Sequence, residues 1–297
     1  MKIASFRILL VMLMSTWALP FFPQSHLLWY NRPARHWVEA LPLGNGRLGA
    51  MEYGGIGSDT IQMNEDTFWS GSPYNNVNPK ALAVLPEIRK ALDCGDYQRA
   101  QYLAMHNITA DRSITGHGMM YESVGNLILT TPHHQFTNYR RQLSLDDAVA
   151  KTVYTSDGVD YQREVFTSLT DDVTIIRLKA SKQGALSFDV SFIGPLKKQR
   201  ITATVCNTAQ DMLRIYSSPT ASNAENVPNG LHCVTYIKVI PTDGKLTGEN
   251  ATPHSDQRSE NGTIRIKAAT EALIVVSSAT NFVRYDNITG DADLSNI

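Results

Sequence analysis

Apolar and polar side chains alternate at every second position in one short run after another along this sequence, and that period fits half-buried β-strands. Leu186, Phe188, Val190 and Phe192 alternate with Ser187, Asp189 and Ser191. Val153, Val159, Tyr161, Arg163 and Val165 read as one stripe around Asp157-Gly158, a pair that favours a tight hairpin turn. Residues 173–178 read as a buried strand, and residues 231–240, 263–266 and 272–277 as further strands. Asp243-Gly244 and Asn261-Gly262 read as turns, and residues 217–230 and 247–261 as loops. Many strands at short spacing imply a mainly β fold: a large two-sheet antiparallel β-sandwich (a supersandwich) with a short helical insert.

The insert is residues 79–106. Asn78 reads as an N-cap with Pro79 at the first helical position. Leu82, Leu85, Ile88 and Leu92 mark one apolar face, and Pro86 should kink or restart the helix. Gly95 ends it, and Asp96 caps a second helix with Tyr97, Ala100, Leu103 and Ala104 on one face.

The 297 residues carry a net charge of -1, which lacks the basic footprint of a nucleic-acid binder. Three cysteines exclude a disulfide-dense scaffold. At the start, Lys2 and Arg7 flank seven consecutive apolar residues, 8–14. This is the pattern of a signal peptide, assigned to residues 1–25, and it is too short to span a membrane. Export places Cys94, expected to be buried in the helical pattern, and Cys206 and Cys233, a geometrically possible pair, where disulfides are permitted. After residue 281 no element is legible, and the terminal GDADLSNI has the composition of a linker.

The sequence contains no HExxH, no paired CxxC and no GxSxG, and no metal or cofactor is assigned. His133 and His134 are adjacent, so on a strand they point to opposite faces. The sequons at Asn107, Asn250, Asn261 and Asn287 are about as many as chance supplies in a chain this rich in Asn, Ser and Thr. Two segments are denser in functional residue types. Residues 39–49, EALPLGNGRLG, are loop chemistry leading into a strand. Residues 61–71, IQMNEDTFWSG, set Asn64, Glu65, Asp66 and Trp69 at the end of an alternating strand. Carboxylates and amides bind sugar hydroxyls and an aromatic face covers the C–H side of the ring. The competing reading makes Trp69 core and Asn64, Glu65 and Asp66 turn caps. Glu65 and Asp66 are neighbours and diverge, whereas a glycosidase dyad faces one cleft across about 5–10 Å. No catalytic residue is therefore assigned.

These segments resemble a known family. Residues 28–55, LWYNRPARHWVEALPLGNGRLGAMEYGG, are similar to the opening of glycoside hydrolase family 95. The similarity continues through IQMNEDTFWSGSPYNNVNP (61–79), LPEIRKAL (85–92), YRRQLSLDDAVAKTVYTSDGVDYQREVFTS (139–168) and SATNFVRYDNITG (278–290). It departs at YESVGNL (121–127), where relatives usually carry a proline before the glycine and this chain has Ser123-Val124. The resemblance implies an N-terminal β-sandwich, here residues 26–285, with residues 286–297 starting a linker. It implies an α-L-fucosidase that cleaves terminal fucose from glycans with inversion. Its catalytic groups would lie in a following (α/α) toroid, which makes that toroid and fucosylated glycans the expected partners. The alternatives are a free-standing carbohydrate-binding β-sandwich or an inactive remnant.

Overall fold

A computed structural model describes residues 26–110, 119–194, 199–205, 209–219, 227–250 and 259–293. The signal-peptide reading of residues 1–25 lies outside them, as does Cys206. The alternating runs fold as strands. The first half of the chain supplies β1 (Leu27–Tyr30), β2 (Leu41–Gly44), β3 (Leu48–Glu52), β4 (Ser58–Glu65), β5 (Gly125–Thr130), β6 (Thr137–Ser144) and β7 (Val149–Ser156). Then come β8 (Val159–Thr167), β9 (Val173–Ala180), β10 (Leu186–Ile193), β11 (Gln199–Val205) and β12 (Met212–Pro219). The last are β13 (Cys233–Pro241), β14 (Lys245–Glu249), β15 (Ser259–Asn261), β16 (Thr263–Ala269) and β17 (Glu271–Thr280). They form a ten-stranded sheet, β1-β6-β7-β8-β9-β17-β13-β12-β11-β15, and a seven-stranded one, β14-β16-β10-β5-β4-β3-β2. All pairs are antiparallel except β11 with β15. The mainly β, two-sheet expectation holds.

The central strands of each sheet hide one stripe each. Ile61, Met63, Leu127, Leu129, Phe188, Val190 and Phe192 from the seven-stranded sheet are buried in one cluster with residues of the other. Those partners include Val165, Ile176, Leu213, Ile237 and Ile274.

The register corrects several details. Asp157 and Gly158 both take positive φ, 49° and 72°, as a two-residue hairpin requires. That turn pairs Tyr154 with Tyr161, so Tyr154 shares the buried face, and Val153, opposite Gln162, faces outward. β9 is half-buried: Thr174, Ile176 and Leu178 point inward, and the residues between them are only partly covered. Asp243-Gly244 separates β13 from β14 as read, and the link it makes joins strands of different sheets. The ends of both expected loops are strand: β12 runs to Pro219, and β14 takes in Thr247 to Glu249. His133 and His134 lie in a loop, one buried against the Tyr154 hydroxyl at 2.8 Å and one exposed.

The insert forms helices α1 (Ala81–Asp93) and α2 (Tyr97–Asn107). Asn78 does not cap α1: its Oδ1 accepts from the Lys80 N–H in the preceding turn, and the helix starts two residues past Pro79. Pro86 sits inside α1 on its exposed side, and the helix continues through it. Gly95, at φ 75°, ends α1, and Asp96 caps α2 through the Arg99 N–H. Ile88 and Ala91 pack with Ala100, whereas Leu82, Leu92 and Tyr97 stay exposed. The two helices cover mainly each other, so one narrow seam is hidden. Cys94, just past α1, is exposed, contrary to expectation, and Cys233 is a buried free thiol. The tail is also not a free linker through residue 293. Ala292 is buried, and Asp293 accepts from Arg214 Nε (2.7 Å), Arg214 Nη2 (2.6 Å) and the Tyr236 hydroxyl (2.6 Å).

The inner face also holds charge. Arg163 from β8 lies 2.9 Å from Asp59 Oδ2 and 3.2 Å from Glu52 Oε1, with all three side chains buried. Two carboxylates share one guanidinium, so a proton on Asp59 relieves the excess negative charge. Burial raises the Asp59 pKa to about 7 against the pull of Arg163. Arg163→Ala should cost about 3–5 kcal/mol in urea unfolding, because it strands two buried carboxylates. The unfolded Asp pKa is about 3.9, so between there and about 7 the folded state holds the extra proton. This contribution to stability therefore falls as pH rises through that window. Asp59→Asn should remove that slope, and an unchanged slope in the variant would contradict the assignment.

Candidate functional site

The inward stripe of β4 reads Asp59, Ile61, Met63, Glu65: apolar in the middle, a carboxylate at each end. At the second end the strand opens into a cleft. Phe68 is fully buried and anchors the turn, while Trp69 beside it is 42% exposed. The Trp69 indole N–H donates to the Asp66 carbonyl at 3.0 Å, and its ring meets Tyr121 edge-on at 5.2 Å. The Ser70 N–H donates to the Met120 carbonyl, the Met120 N–H donates to Ser70 Oγ, and the Tyr121 hydroxyl donates to the Glu65 carbonyl. Residues 120–121 thus hold the turn in place. Val124, at the departure from the family pattern, is fully buried, with its N–H on the Met63 carbonyl.

The structure brings Glu65, Asp66 and Trp69 to one end of the sandwich and leaves Asn64 on the opposite face of β4. Glu65 is 1% exposed. Its Oε2 accepts from the Thr67 N–H (2.9 Å) and hydroxyl (2.7 Å), and its Oε1 lies 3.6 Å from Arg47 Nε. Burial raises its pKa, with the Thr67 hydrogen bonds opposing. Arg47 Nη1 is held by Asp172 at 3.0 Å. Thr67 and Thr280 share a hydroxyl–hydroxyl hydrogen bond.

Two neighbouring cavities follow. One of ≈ 300 Å³ is lined by Arg47, Glu65, Asp66, Thr67, Thr280 and Phe282. The other, ≈ 550 Å³, shares Asp66, Thr67 and Phe282 and adds Trp69, Tyr74 and Tyr285. Sequence reasoning missed Arg47, Thr280, Phe282 and Tyr285 as site residues. Arg47 stood in a segment already singled out, but Phe282 and Tyr285 reach the site from the far end of the chain. A groove of ≈ 470 Å³ on the outer face of β7–β9 carries Arg177 and Lys179, whose charges are met by Glu164 and Glu271.

The family model described as "Glycosyl hydrolase family 65, N-terminal domain" matches residues 28–285. The chain belongs to this family. It is similar to "Alpha-L-fucosidase 2" of Arabidopsis thaliana, 36% identical over 72% of this chain and 26% of that protein. It is also similar to proteins named "Probable alpha-fucosidase A" from Aspergillus niger and Aspergillus oryzae. The first is 30% identical over 55% of this chain and 21% of that protein. The second is 26% identical over 48% and 20%. The chain thus spans about a fifth to a quarter of the length of the curated relatives it matches. The fucosidase names agree with the family 95 resemblance, and the chain carries a glycoside hydrolase N-terminal domain whose relatives are named as fucosidases.

The adjacent aromatics of this turn should separate in unfolding experiments. Phe68→Ala should cost about 3–5 kcal/mol. Trp69→Ala should cost less than about 1.5 kcal/mol, because much of the ring is already in water. Urea midpoints in the opposite order would contradict the placement.

Proposed function

We propose that this chain is the non-catalytic N-terminal module of an exported α-L-fucosidase, and that its aromatic cleft seats on the catalytic (α/α) toroid. The whole enzyme would remove terminal fucose from glycans by inverting hydrolysis. The observation that carries the docking is the cleft itself. Trp69, Phe282 and Tyr285 are all exposed around one concavity, with Tyr285 85% exposed. Such a grouping of aromatic rings suits the centre of an interface better than open solvent. The names of the curated relatives supply the activity, and the basic and apolar start of the chain supports export.

The local carboxylates support a non-catalytic role. Glu65 is buried and clasped by Thr67, and Asp66 points to solvent. They do not stand as an acid and a base facing each other across a cleft.

The purified chain alone should release no fucose from a fucosylated trisaccharide. It should bind a separately produced toroid from an α-fucosidase relative, and Trp69→Ala should weaken that binding by about tenfold while the sandwich stays folded. Fucose release by the chain alone, abolished by Glu65→Gln, would contradict the non-catalytic reading. Toroid binding indifferent to Trp69 would contradict the docking.

A further inference from the structure

The polar end of the cleft shares Phe282 with the aromatic end and adds polar groups that the aromatic docking surface leaves unused. Glu65 is almost wholly buried, yet it lines an open cavity. Oε2 is occupied by Thr67, whereas Oε1 has Arg47 Nε at 3.6 Å, outside hydrogen-bonding distance. A carboxylate oxygen that Arg47 does not reach can accept from a ligand hydroxyl in the cavity that Glu65 lines. Beside it, Asp66 offers a second, exposed carboxylate. Arg47 offers the donor: Nη1 is committed to Asp172, and Nε lies on the Glu65 side.

One wall is aromatic. The Phe282 ring is 37% exposed, and its backbone N–H donates to Thr280 Oγ1 at 3.3 Å. Thr280 is in turn tied to Thr67, so the ring's backbone is fixed to the same network that holds Glu65. Acceptors, a donor and a flat apolar face therefore meet in ≈ 300 Å³, the lower end of the range for small-ligand sites.

The ligand must donate to two carboxylates, accept from a guanidinium and present an apolar face. An anion fails at Glu65 and Asp66. A metal ion fails beside the Arg47 guanidinium. Vicinal hydroxyls donate and accept together, and the C–H face of a pyranose matches an aromatic ring. We infer that this pocket binds one neutral sugar residue, with its hydroxyls on Glu65, Asp66 and Arg47 and its C–H face on Phe282. The choice of sugar, a fucosylated glycan, rests on the function proposed above, whereas the pocket chemistry stands on the geometry.

The test is an amide and Arg Nε–H NMR titration of the full chain with L-fucose and with a fucosylated trisaccharide. Saturable shifts are expected at Arg47, Thr67, Thr280 and Phe282. Glu65→Gln, which keeps the shape, and Phe282→Ala, at an exposed position, should each weaken binding by about tenfold. Retained dispersion in the variant spectra checks that they fold. No saturable shift at these groups with either sugar would overturn the inference, as would shifts of equal affinity in both variants. The two proposals fail separately. Toroid docking without sugar binding removes only the pocket assignment; sugar binding without docking leaves a carbohydrate-binding module.

Discussion

Two sheets of this size can hide their inner faces only against each other. Every second residue of the central strands meets that demand, from Ile61 and Met63 on β4 to Ile274 and Val276 on β17. At about 25 cal/mol per Å² of apolar surface, this shared layer is the main source of stability. The layer also decides where polar groups can enter. β4 shows this most clearly: its buried stripe is apolar in the middle and changes to Asp59 and Glu65 at its ends. The Asp59 end is closed by Arg163 and Glu52. The Glu65 end stays open, lined by Arg47, and there the cleft forms. The site is thus the place where the inter-sheet layer runs out.

Much of the architecture was legible because a two-residue period needs no knowledge of partners. The stripe of Leu186, Phe188, Val190 and Phe192 is buried as read, and Arg163 lies on the inward face of β8 among Val159, Tyr161 and Val165. Partners were not legible. The register of the β7–β8 hairpin moved Val153 outward, and nothing local showed that the turn at Asp243-Gly244 carries the chain from one sheet to the other. The tail was misread for the same reason. Asp291 and Asp293 look like linker composition, and only the fold brings Arg214 and Tyr236 beneath Asp293.

The site was half legible. The run from Asn64 to Trp69 was visible as unusual chemistry at a strand end, and the divergence of Glu65 from Asp66 followed from strand geometry. Two assignments inside it needed the packing. Asn64 lies on the other face, and the buried ring is Phe68 rather than Trp69. Thr280, Phe282 and Tyr285 complete the cleft from more than 200 positions away, a juxtaposition no local pattern encodes.

Hydrogen exchange of the full chain, with and without a catalytic toroid from an α-fucosidase relative, tests the central claim most directly. The account predicts added protection confined to residues around the cleft, 66–76 and 280–288, with both outer sheet faces unchanged. Protection centred on the outer face of β7–β9, or none at the cleft, would contradict it.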